Sequence, residues 1–131
     1  MEVLSSRVLL APPDLDAAVG WYTEVLGLSI YREYGTGGRR TGVVLFCGGG
    51  FLELTGPRAG APAGLGAASL WLQVPDVDAE HRRLADAGVD VAAPPETMPW
   101  GLRECWIADP DGTRIVLVEV PDDHPIRNRR D

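Results

Sequence analysis

The residues that could carry chemistry are few in this chain, and their types already close off several reactions. There are two histidines, His81 and His124, and neither is placed to activate Ser69 as a nucleophile. All twelve basic residues are Arg. With no Lys there is no Schiff base and no P-loop lysine, and the glycine runs do not sit between a strand and a helix to cradle phosphate. Cys47 and Cys105 are the only cysteines and form no CxxC, so they read as buried thiols rather than a disulfide. Two carboxylates, Glu53 and Glu104, sit on strand-like segments, where desolvation would let either act as a general base. Four tryptophans complete the set: Trp21, Trp71, Trp100 and Trp106.

The elements that must position these groups can be read in order. Arg7–Ala11 is a short apolar strand stopped by Pro12-Pro13. Asp14 is an N-cap, and Leu15, Val19, Tyr22 and Leu26 form a helical stripe ended by Gly27. Strands follow over Leu28–Tyr34, Thr41–Cys47 and Phe51–Thr55. The segment 57–67 is rich in Gly, Ala and Pro, as a linker is. Then the pattern recurs. Ser69–Val74 is a strand stopped by Pro75, Asp76-Val77-Asp78-Ala79 repeats Asp14-Leu15-Asp16-Ala17, and a helix runs through Leu84. After a Pro-rich loop, Leu102–Ala108 and Thr113–Val120 flank Asp109-Pro110-Asp111-Gly112, a strong hairpin signal. Ile115-Val116-Leu117 falls where Leu52-Glu53-Leu54 fell. A β-α-β-β-β unit used twice gives an α+β fold in one domain. Module one spans about 5–56, module two about 68–121, and a polar tail covers 122–131.

The net charge of −7 argues against nucleic acid, which needs a basic face. It suits a cationic ligand, although acidity often serves only solubility. No run reaches the roughly 18–20 apolar residues that span a bilayer, and no signal sequence opens the chain, so a cytoplasmic location without membrane contact is expected.

Paired βαβββ modules, the Asp-Leu-Asp-Ala helix start and the late Asp-Pro-Asp-Gly turn resemble the vicinal oxygen chelate superfamily, which includes glyoxalases, extradiol dioxygenases and bleomycin-resistance proteins. The resemblance runs from about Arg7 to Val120. It implies modules whose curved sheets form a half-open cup around a pocket, and a homodimer. It also implies a divalent metal held by equivalent strand positions, which fall here on Arg7, Glu53, Ser69 and Val116. Only Glu53 is a suitable ligand: Arg brings its own charge, Val has no donor atom and Ser binds these metals poorly. No metal and no other cofactor is therefore expected, and the character is nearest the metal-free, bleomycin-resistance-like branch.

If Arg7 and Glu53 point inward as the ligand positions do, a buried bidentate salt bridge would replace the metal. Otherwise Arg7 splays to solvent. Strand alternation puts Trp71 on the face of Ser69, and Glu104 on that of Trp106. In glyoxalase-like relatives the position of Trp106 lines the pocket. The Pro99-Trp100-Gly101 loop resembles one in bleomycin-resistance proteins, and Trp21 reads as packing between helix and sheet. Aromatic faces beside carboxylates make a receptor for a flat molecule. The expected ligand-binding residues are Arg7, Glu53, Ser69, Trp71, Trp100, Glu104 and Trp106, with none catalytic. Binding of an aromatic antibiotic or natural product, as in self-resistance, is the favoured function. The alternative is a metal-free isomerase or cyclase using a pocket glutamate as base, and a metal-dependent glyoxalase or dioxygenase stands third. The sequence leaves the ligand's identity open, and whether the pocket lies within one chain or across a dimer.

Overall fold

The computed structural model describes residues 1–56 and 68–125. The linker-like segment 57–67 and tail residues 126–131 lie outside the described residues. The chain forms two units, each a four-stranded sheet with a helix on one face. This is the α+β, twice-used βαβββ architecture that the repeat implies.

In the first unit, β1 (Arg7–Leu10) ends before Pro12-Pro13, and Asp14 caps α1 (Leu15–Gly20) by accepting from the Ala17 N–H at 3.0 Å. The apolar stripe does not continue as one α-helix. Trp21–Val25 widens into a π-helical turn, closed by the Leu26 N–H donating to the Trp21 carbonyl at 2.9 Å. The turn still buries Tyr22, almost completely, beside Val19 and Leu26. Gly27, at φ +93°, then reverses the chain. Strands β2 (Ile30–Thr36), β3 (Arg39–Cys47) and β4 (Gly50–Thr55) complete a sheet of order β1-β4-β3-β2. Strand β1 is parallel to β4, and the other pairs are antiparallel. Alternation sends Leu10, Val43, Leu45, Leu52 and Leu54 into the core, and α1 packs against β3 and β4. It sends Arg7, Val44, Phe46, Phe51 and Glu53 to the opposite, helix-free face.

The second unit repeats this plan. Asp76 caps α2 (Val77–Asp86), and β5 (Leu70–Gln73), β6 (Asp90–Thr97), β7 (Arg103–Ala108) and β8 (Arg114–Glu119) form a sheet of order β5-β8-β7-β6. Leu70, Cys105, Ile107, Ile115 and Leu117 are buried, as are Val77 and Leu84 of α2. One strand departs from the sequence expectation. The Pro-rich stretch forms β6 rather than a loop, with Pro94 and Pro95 inside it. Proline is tolerated because β6 is an edge strand, and the register shifts between Ala93 and Glu96. Ser69 precedes β5 rather than lying on it.

The Asp109–Gly112 turn forms as expected. The Gly112 N–H donates to the Asp109 carbonyl at 3.0 Å, with Gly112 at φ +87°. The buried Asp109 carboxylate accepts from the backbone N–H groups of Asp111 at 2.9 Å and Thr113 at 2.8 Å.

Candidate functional site

On the helix-free face of the first sheet, β1, β4 and β2 bring together three side chains. Arg7 lies opposite Phe51 in the parallel β1–β4 ladder, two residues before the partner of Glu53. That spacing lets its guanidinium reach along the strand. Arg7 Nη1 donates to Glu53 Oε1 at 2.8 Å. The bond is single rather than bidentate, because Tyr34 Oη donates to the other carboxylate oxygen, Oε2, at 2.6 Å. Nor is the pair uniformly buried: the Glu53 side chain is 11% exposed and that of Arg7 is 41% exposed. The guanidinium also stands 5.7 Å from the centre of the Phe51 ring. Tyr34 reaches Glu53 because its register partner across β3 is Gly42. Its ring covers Gly42 in the space a Cβ would need.

Beyond Glu53, towards the N-terminus of α1, lies a cavity of about 800 Å³ whose charged and polar lining includes Asp14, Asp16, Tyr34, Arg39, Arg40, Glu53 and Thr55. Several of these groups already have partners. Arg40 donates to Asp16 at 2.9 Å and to Glu33 at 2.8 Å, and these bonds raise its pKa above the ordinary guanidinium value. Asp14 is engaged as the helix cap. At the other end of the face, Tyr31, Phe46 and Phe51 form an aromatic cluster with ring centres 5.0, 5.0 and 5.8 Å apart. Tyr31 joins it through a bulge between Ile30 and Arg32.

In the second unit Trp71 and Trp106 share one face of the sheet. Trp71 on β5 and Trp106 on β7 both lie opposite Val116 of the strand between them. Trp71 is half exposed, while Trp106 packs against Leu102, Val116, Val118 and Val120. Trp100 is also half exposed, and its Nε1 donates to Glu104 Oε2 at 2.8 Å. The Trp100 carbonyl lies 3.0 Å from His124 Nε2, so this part of the polar tail is tied to the loop rather than loose. Trp21, edge-on to Tyr22 at 4.9 Å, belongs to the first unit's packing. Ser69 is exposed and contributes no described contact to this face.

The strand positions that the resemblance assigns to metal ligands do not fit a divalent cation. Both oxygens of Glu53 already accept from protein donors, Arg7 adds a cation, and Val116 is an apolar, buried side chain. A separate carboxylate group, Asp76, Asp78 and Glu119, brings ligand atoms within 4.8 Å of one another. Four of its six oxygens are engaged within the fold. Asp76 caps α2 through the Ala79 N–H, and Glu119 accepts from the Val77 N–H at 3.0 Å. Asp78 holds Arg103 through both oxygens at 2.8 Å, which lowers the Asp78 pKa.

Sequence reasoning missed Tyr34, Gly42 and the Tyr31–Phe46–Phe51 cluster. The aromatics carried a signal in their alternation along β3 and β4, but their meeting depends on the β2 bulge. The family model for the glyoxalase/bleomycin resistance protein/dioxygenase superfamily matches residues 5–117. Among solved structures the chain is similar to TioX from Micromonospora sp. ML1, at 28% identity and TM-score 0.75, over 89% of this chain and 98% of that one. It is also similar to a superfamily member from Sphaerobacter thermophilus DSM 20745, at 26% identity and TM-score 0.74, over 90% and 98% of the two chains. A lactoylglutathione lyase from Agrobacterium tumefaciens shares the fold at 24% identity and TM-score 0.68, over 90% and 92%. No curated protein matches the chain by sequence. With the repeat, the two sheets and the family match in agreement, the chain belongs to the glyoxalase/bleomycin resistance protein/dioxygenase superfamily.

Proposed function

We propose that the protein binds a small aromatic molecule without a metal, and that its role is to sequester an antibiotic or related natural product. The observation that carries this reading is the Arg7–Glu53–Tyr34 chain. It occupies the first unit's share of the positions where the resemblance expects metal ligands, and it engages both carboxylate oxygens. An arrangement of this kind recognises polar ligand groups and offers no Lewis acid. Each unit's own sheet supplies aromatic surface: Tyr31, Phe46 and Phe51 on the face that carries Arg7 and Glu53 in the first unit, and Trp71 and Trp106 on one face of the second. Stacking on such rings is the ordinary means of holding a flat molecule. Arg7, Glu53, Ser69, Trp71, Trp100, Glu104 and Trp106 remain the proposed ligand-binding residues, in a cytoplasmic homodimer.

The test is a titration of the purified protein with a panel of aromatic antibiotics, following tryptophan emission. Saturable quenching that weakens in Trp106→Ala supports sequestration. A panel that leaves the emission unchanged, together with turnover of a metabolite that Glu53→Gln abolishes, overturns it in favour of a metal-free isomerase or cyclase.

A further inference from the structure

The internal repeat allows one unit to be compared with the other position by position. Phe46 faces Phe51 across the β3–β4 ladder, and Ala108 faces Arg114 across β7–β8. Tyr31 sits in the register shift between Ile30 and Arg32, and Ala92 in the corresponding shift between Val91 and Ala93. Three aromatic side chains that cluster on the first sheet are therefore replaced by Ala, Ala and Arg on the second. In their place the second unit has a hollow of about 470 Å³, lined by Asp90, Ala92, Ala93, Trp106, Ala108 and Arg114.

We propose that this hollow is the seat for a flat, fused-ring portion of the ligand, which takes the volume that Tyr31, Phe46 and Phe51 fill in the first unit. The inference rests on the ligand-binding reading and specifies its chemistry. The volume is within the roughly 300–1,000 Å³ usual for small-molecule sites. Alanine methyl groups give a floor without projections, and Trp106 gives an indole wall. Arg114 stands where Phe51 stands in the first unit, and a planar guanidinium stacks on rings while donating to an acceptor at their edge. Asp90, opposite Ala108 at the rim, accepts from a ring N–H or phenolic O–H. Neither Asp90 nor Arg114 forms a side-chain hydrogen bond among the described residues, in contrast to the matched charges of Arg7, Arg40 and Arg103. The class selected is a neutral polycyclic aromatic with a donor on one edge and an acceptor on another.

Acridone has this form and is fluorescent, so it serves as the probe. The wild-type protein is expected to bind it saturably, at one equivalent per chain, by emission anisotropy. Ala92→Tyr with Ala108→Phe rebuilds the first unit's side chains in the hollow and should weaken binding by about tenfold or more. Equal affinity in this double variant overturns the seat while leaving the broader binding reading intact. Failure of acridone to bind wild type, when another panel compound does, overturns the proposed ligand shape alone. Failure of every compound overturns both readings. If the double variant lacks the wild-type circular dichroism spectrum, Asp90→Ala replaces it, since that residue is exposed at the rim. It should weaken acridone binding by about tenfold through loss of a charged acceptor, and unchanged affinity overturns the seat.

Discussion

Gly42 lies beneath the ring of Tyr34, which covers the space a β-carbon would take and so sets its hydroxyl on Glu53 at 2.6 Å. Gly42→Ala is therefore expected to displace the ring and to cost about 1–3 kcal/mol, as overpacking does. Urea unfolding would measure this. Combined with Tyr34→Ala, the same substitution should cost much less than the sum of the two singles, because the clash goes with the ring. Additive losses would place the strain in the backbone instead.

The carboxylate of Glu53 has one donor from each side, and removing each should have a distinct cost. Tyr34→Phe takes away a hydrogen bond to a charged acceptor, worth about 1.5–3 kcal/mol. Arg7→Met leaves a largely buried carboxylate without its cation, but water reaches the Arg7 side and discounts the loss to about 1–2 kcal/mol. A double-mutant cycle in urea should show coupling between the two, since both act on one group.

Asp109 should matter more than most turn residues. Its carboxylate accepts two backbone N–H groups in a buried site. Asp109→Ala leaves both donors without that acceptor and is expected to cost about 1–3 kcal/mol, read as a lower melting temperature. Asp109→Asn keeps an acceptor oxygen and should recover part of the loss.

The Asp78–Arg103 contact predicts an acid dependence. The Arg103 hydrogen bond holds the Asp78 carboxyl below its ordinary value. With the folded value below the unfolded value of about 3.9, the contribution is complete above that pH and is lost as pH falls through the lowered folded value. Wild type should lose stability more steeply than Arg103→Met between about pH 5 and pH 2. The difference is small, because both side chains meet solvent.

Both thiols should be sluggish. Burial raises the pKa of Cys47 and of Cys105, and the nearby Asp78 charge adds to the effect at Cys105. At pH 8 the reactive thiolate is correspondingly scarce. A thiol-reactive dye should modify Cys105 only on unfolding and Cys47 more slowly than free cysteine.

The repeat was legible because its markers are local: Asp14 and Asp76 as caps, Gly27 and Gly88 as stops, and a hairpin at Asp109. Strand β6 was not legible, because proline speaks against strands unless the strand is known to be an edge. The π-helical turn at Trp21–Val25 leaves the apolar stripe nearly as an α-helix would, so periodicity does not separate the two. In the site, the Arg7–Glu53 contact was legible only through the family resemblance, whose ligand positions fall on these two residues. Tyr34 was not, because its pairing with Gly42 follows a register shift that only the folded sheet fixes. Tyr31 was hidden for the same reason.

In each sheet the opening strand is parallel to the closing one, Arg7 beside Phe51 and Leu70 beside Ile115. Neither opening strand has its neighbour when it leaves the ribosome. It must wait while the helix and two further strands are made, and local hairpins form first. The guanidinium of Arg7 is thus expected to arrive with the last strand docked in its unit, its ion pair with Glu53 forming late in folding. Substitutions at Arg7 should accordingly speed unfolding while leaving the refolding rate nearly unchanged.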